Sequence, residues 1–228
     1  MTGTYFPPVQ IVDRDRGLIA GGRTKVAIVG AGRGREAAPF GDPEWEVWVL
    51  NAIWAPRYDV MMELHPRSVQ DAVDMQCYPT ISTPCYVIDP AEWAPGEIQH
   101  PVRYPIETVL RTFRRRYFTC TFAYMIALAL LLEYKTIGLW GCGLFEGTAR
   151  ERLVESPCLN YWLGRAHGMG VDVVEDSMLG FQPQLYGYAY HEEVAEVNRQ
   201  VALTAEVFDF ERGVVTYTYP LDSTEKEI

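Results

Sequence analysis

The sequence predicts an α/β fold, a mostly parallel sheet with helices on both faces, and three observations carry that prediction. First, short β-branched runs end at glycine: "KVAIVGAG" from Lys25 and "KTIGLWGCG" from Lys135. Runs that are apolar throughout, rather than alternating, mark strands buried on both faces. Second, strand and helix patterns alternate from Thr119 to Asp176. In a compact chain that alternation implies crossover connections and therefore parallel neighbours. Third, "FAYMIALALLL", Phe122 to Leu132, is apolar all round, the mark of a helix buried in the core. It falls well short of the ~20 residues that cross a bilayer, so no membrane partner is expected.

The elements follow in order. Residues 1–24 read as an extended arm, because Pro7, Pro8 and the Gly21-Gly22 pair are poor material for a helix. A compact domain is expected over residues 25–190, with an appendage over 191–228. After the first strand, "REAAPF" fits a brief helix or turn. Glu44 to Ile53 reads as a second strand with Asn51 at its carboxyl end, and Tyr58 to Pro66 as a third, closed by Pro66, with Glu63 and His65 at its exit. "SVQDAVDMQ" fits a short helix and "TPCYVI" a further strand. The loop "DPAEWAPGEIQHPVRYP" has no period and reads either as an ordered lid or as a surface connection.

Thr119, Cys120 and Thr121 stand where a long apolar helix needs its N-cap. That helix runs to about Glu133 and the next strand ends in two glycines. "ESPCLNYWLGRAHGMG" puts Leu159, Trp162, Leu163 and Ala166 on one helical face, with Gly168 and Gly170 as a stop, and "VDVVED" is then a strand. Beyond residue 190 a possible helix precedes two alternating strands, "TAEVFDF" and "VVTYTYPL", joined by "ERG". This pattern predicts a hairpin packed on the domain or on a second copy, so homo-oligomerisation through hairpin and arm is expected.

Composition narrows the function. The 228 residues hold 30 Asp and Glu against 20 Lys and Arg, which argues against a broad nucleic-acid face. The strong basic cluster is "RTFRRRYF", Arg111 to Phe118, readable as a solvated charge run or as a dock for a sugar acid or anionic partner. Five cysteines show no CxxC or metal-type spacing, which fits reduced thiols and a cytoplasmic setting. The first residues lack the charged start and apolar core of a signal peptide. Asp13 and Asp15 have the outline of a metal pair but follow no strand, so no metal site is expected.

Ligands of a parallel sheet collect at the carboxyl ends of its strands, where helix amino-termini present N–H groups. Three such ends carry suggestive residues: Gly30, Gly32, Arg33 and Gly34 on the first strand, Asn51 on the second, and Gly141, Gly143 and Glu146 after the fifth. With Thr119, Cys120 and Thr121 they would line a crevice suited to a nucleotide. The glycine burst departs from the dinucleotide fingerprint, since Arg35 stands at its last glycine, and no G-K-[ST] follows. Two readings stay open: a phosphate contact, or only a tight turn from strand to helix. His65 beside Glu63 is the candidate general base, the carboxylate orienting the ring, or else a histidine bonding locally at a strand end. His167 fits a helix C-cap better.

The segments "VAIVGAGRGREAAPFGDPEWEVWVLN", "MMELHP", "YFTCTFAYMIALAL", "IGLWGCGLF" and "CLNYWLGRAHGMGVDVV" together resemble a Rossmann-like family found in tailed-phage genomes, over about residues 25–190. More distantly, the order is similar to small bacterial sialyltransferases and MptE-like pterin diphosphokinases. The resemblance implies a Rossmann-like fold and a nucleotide or nucleotide-sugar as substrate rather than a resident cofactor. It implies donor contacts at Gly30 to Gly34, Asn51, Thr119 with Cys120, and Gly141 to Gly143. Cys120 stands where the sialyltransferases carry serine, and Gly143 where they carry aspartate. Neither His167 nor His191 matches the context of their catalytic histidine. The function so implied is a glycosyltransferase-like transferase. The alternative is a phage-encoded binding or virion-associated module that keeps the fold without catalysis, in the host cytoplasm or the virion.

Overall fold

The computed structural model describes residues 22–50, 55–144, 148 and 151–175, together with the backbone of two further strands. Seven strands form one sheet: β1 (Lys25–Val29), β2 (Trp45–Leu50), β3 (Val60–Met62), β4 (Cys85–Val87), β5 (Pro101–Arg103), β6 (Thr136–Trp140) and β7 (Asp172–Glu175). All neighbours pair parallel, in the order β5-β4-β3-β2-β1-β6-β7. The α/β, Rossmann-like expectation is met. β8 (Thr204–Asp209) and β9 (Gly213–Thr218) pair antiparallel as a separate hairpin, where the alternating pattern placed one. The arm, the possible helix beyond residue 190, Asn51 and Glu146 lie outside the described residues.

Alternate residues of each central strand enter two cores. Val26, Ile28, Trp48, Val60, Met62, Ile137 and Leu139 face the layer formed by α2 (Ile106–Phe113), α3 (Thr121–Leu131) and α4 (Ser156–Gly168). Ala27, Val29, Val47, Val49, Met61 and Cys85 face the other side, covered by Tyr78, Ile81, Trp93 and Ile98. The short helix α1 (Ala72–Cys77) lies in this second half, capped by the Asp71 carboxylate, which accepts from the Val73 and Asp74 N–H groups. Burial on both faces is why these strands read as unbroken apolar runs. One carboxylate interrupts them: Glu46 on β2, 1% exposed, accepts from Trp48 Nε1 at 2.9 Å and Tyr134 Oη at 2.6 Å. Two donors offset the cost of burying that group.

The structure departs from the sequence reading in two places. The loop "DPAEWAPGEIQHPVRYP" contains β5, a sheet-edge strand that begins on Pro101, where no strand was expected. Trp93 is buried edge-on against Tyr78, Arg67 pairs with Glu97, and Arg103 pairs with Asp89. Secondly, α2 occupies a stretch with no helix expected. Its Ile106, Val109, Leu110 and Phe113 do carry the helical spacing, on a segment half taken up by the arginine run. "REAAPF" forms one 3-10 turn, Arg35–Ala37, opened by Gly34 at φ 82°, the brief turn expected there.

Candidate functional site

The chain runs outward from β1 through β2 to β5, then returns to place β6 on the other side of β1. The strand order therefore reverses between β1 and β6, and the crevice of a doubly wound sheet lies outside the carboxyl ends of those two strands. The glycines meet there. Gly30 N–H donates to the Trp140 carbonyl at 2.8 Å and Gly32 N–H to the Gly141 carbonyl at 2.9 Å. A Cβ on Gly30 would stand 2.3 Å from the Gly141 oxygen and 2.7 Å from Phe122 Cζ at the start of α3. Gly141 itself has φ +62°, and a Cβ on it would meet the Gly30 and Gly32 oxygens at 2.9 Å each.

These contacts answer the question the glycine burst raised. Gly30 and Gly32 are glycines because two strand exits are stitched together backbone to backbone, and their N–H groups are spent on β6. The loop still offers donors: among the described residues, the Ala31 and Gly34 N–H groups have no hydrogen-bond partner. Arg33 stands exposed between them, while Arg35 Nη1 is turned back onto the Ala31 carbonyl at 2.8 Å. Gly143 is half-buried beyond Cys142, whose thiol points to the Trp140 and Ile28 carbonyls.

The Thr119 to Thr121 cluster reaches the same edge but does not cap α3. Cys120 is the N-cap residue and makes no side-chain capping bond. Thr119 Oγ1 donates instead to the Val154 carbonyl at 3.0 Å, so it ties the chain before α3 to the turn leading into α4. Donation to Cys158, then burial, pushes the Cys120 thiol up, and the bond it receives from Cys120 pulls Cys158 down. Cys120 stays protonated at neutral pH and bonds to no histidine among the described residues, which leaves it a packing residue rather than a nucleophile. Thr121, the first residue of α3, is half-buried at the crevice edge.

At the exit of β3 the chain builds a second polar group. Glu63, 1% exposed, accepts at one oxygen from His65 Nδ1 at 2.7 Å and from the His65 backbone N–H at 3.1 Å. Its other oxygen accepts from Tyr78 Oη at 2.6 Å. With Nδ1–H donating to the carboxylate, the Nε2 lone pair of His65 is turned outward, and this side chain is 55% exposed. Tyr78 also lies 2.8 Å from the Gln70 amide, whose Nε2 is buried without a partner. The phenol has one proton and gives it to the carboxylate, so the flipped amide, with Nε2–H donating to Tyr78 Oη, satisfies both groups. Tyr78 and Gln70 were not found from sequence, because nothing in "QCYPT" or "SVQD" signals a contact with Glu63.

β3 lies two strands from β1, so this pair stands about 10 Å along the edge from the glycine exits. Asn51, which follows β2 in the sequence, lies outside the described residues. Among the described residues no group of three or more potential metal ligands occurs, and no helix is long and apolar enough to cross a membrane.

The buried acid has a consequence for stability. Burial, then Glu63, pushes the Cys85 thiol from its ordinary 9.0 up to about 12, and burial with the Glu63 hydrogen bond raises Tyr78 above its ordinary 10.0. Both groups keep in the fold a proton that the unfolded chain releases earlier. The stability they contribute is whole below pH ~9 and is lost as pH rises towards ~12. Urea unfolding should show a falling midpoint across that window, with a shallower fall in Cys85→Val; an equal slope in both proteins would contradict this.

No family model and no curated protein matches the chain. Among solved structures, an α-2,3-sialyltransferase from Campylobacter jejuni in apo form is similar with a TM-score of 0.41 and 14% identity, over 71% of this chain and 78% of the other. The C. jejuni sialyltransferase CstII in complex with a substrate analogue, cytidine-5'-monophosphate, gives a TM-score of 0.40 and 12% identity, over 71% and 86%.

Proposed function

We propose that the chain is a nucleotide-binding α/β protein that transfers a group, most simply a sugar, from an activated nucleotide donor to a hydroxyl. The observation that carries this reading is the Glu63–His65 pair, held with Nε2 outward on the carboxyl edge that also contains the switch point between β1 and β6. The donor's phosphate sits over the Ala31 and Gly34 amides with Arg33 beside it. His65 Nε2 takes the acceptor's hydroxyl proton as that oxygen attacks the sugar's anomeric carbon. The bond from that carbon to the phosphate oxygen breaks, and the leaving nucleotide keeps the electron pair. Glu63 fixes the ring's tautomer and stabilises the imidazolium, while the amides and the arginine stabilise the leaving charge.

The second reading, a binding or virion-associated module without catalysis, is favoured by the bonding of Gly30 and Gly32 N–H to the exit of β6, which takes two of the loop's backbone donors away from a phosphate. Thermal unfolding with a panel of nucleoside mono- and diphosphates separates the two. A ligand at a hundred times its dissociation constant adds about 2.7 kcal/mol, which for a chain of this size raises Tm by about 5–10 °C. That shift with one nucleotide is the expected result. No shift with any nucleotide, together with assembly into large oligomers, would favour the module.

A further inference from the structure

Near the middle of α4, two arginines from separate elements converge on one phenol. Arg115 Nε, in the chain that leaves α2, lies 3.2 Å from Tyr161 Oη, and Arg165 Nη1, one turn along α4, lies 3.3 Å from the same oxygen. Both are N–H donors, so the oxygen's acceptor capacity is taken. Its own hydroxyl proton has no acceptor among the described residues, and Arg165 Nε is buried without one. Neither guanidinium pairs with a carboxylate among the described residues. Aromatic rings hold both in place: Arg165 lies over Phe113 at 5.1 Å and Arg115 over the Tyr161 ring at 5.9 Å.

We propose that Arg115, Arg165 and Tyr161 form a binding site for a phosphate monoester. The cluster is rich in donors and poor in acceptors, in a chain whose formal net charge is −10. Two fixed positive charges match the charge of about −2 on a phosphate monoester near neutral pH better than the single charge of a carboxylate. Forked guanidiniums and a hydroxyl donor suit three phosphate oxygens. Arg114 and Arg116, both exposed, flank Arg115 and add to the local positive potential. The site rests on α2, its following loop and α4, and does not depend on the reading of the crevice.

Titration of the full chain with inorganic phosphate, at constant ionic strength set by chloride, tests the proposal. Trp162 reports it by fluorescence, since its ring packs against Tyr161 at 5.6 Å. The expected result is a saturable change, weakened about tenfold in Arg115→Ala, an exposed position whose loss leaves the core intact, and by a similar factor in Arg165→Lys, which keeps the charge but not the fork. Acetate should bind more weakly than phosphate. A linear response that never saturates, saturable binding unchanged in both variants, or acetate binding as tightly as phosphate would overturn it. Unaltered circular dichroism in each variant ties any loss to the site.

Discussion

Gly30→Ala is expected to cost about 3 kcal/mol or more of folding stability, at the upper end of overpacking effects. The added methyl would stand 2.3 Å from the Gly141 carbonyl oxygen. That atom is backbone and cannot rotate away. It can retreat only if β6 separates from β1, breaking the Gly30 to Trp140 and Gly32 to Gly141 hydrogen bonds in the centre of the sheet. Two other glycines serve as controls. Gly41 has nothing within 4 Å of an added Cβ and should shift stability by no more than about 0.5 kcal/mol. Gly164, inside α4 with equally open space, should gain about 0.5–1 kcal/mol as alanine from helix propensity. Urea denaturation of the three variants gives the comparison directly; Gly30→Ala within about 1 kcal/mol of the parent would mean the two exits are not in contact.

The second large effect concerns chemistry. Under the proposed transferase reading, His65→Ala should lower turnover about 10²–10⁴-fold, the usual contribution of a positioned base, while nucleotide affinity changes little. Tyr78→Phe removes a donor to Glu63 without touching the ring, and should have a smaller effect of the same kind. If turnover in His65→Ala equals that of the parent, the histidine is a strand-end residue bonded to its neighbour and not the base.

The parts of this protein that sequence discloses are those where burial imposes a period. β1, β2, β6, α3 and α4 are continuous or helically spaced because each presses an apolar face on the same two cores. β5 escapes because three residues on a sheet edge, starting from proline and partly exposed, need no apolar signature. The site divides in the same way. Glu63 and His65 are two apart in the chain, so a local motif reveals them. Tyr78 and Gln70 reach Glu63 only through the fold, from an element on the far core.

The glycines show the opposite limit. "GAGRG" suggests a phosphate to anyone reading the chain in isolation, yet Gly30 and Gly32 are fixed by a contact with Gly141, more than a hundred residues away. Likewise, a threonine before a helix reads as a cap, and only the position of Val154 shows where Thr119 sends its proton.

In the proposed function a nucleotide lies along the carboxyl edge from the Ala31–Gly34 exit towards His65. Amide and histidine NMR signals of the full chain, titrated with nucleoside diphosphates, test it most directly. One nucleotide is expected to move the Ala31 and Gly34 amides and the His65 ring together, with a single binding curve. Shifts confined to other parts of the sheet, or none with any nucleotide, would contradict it.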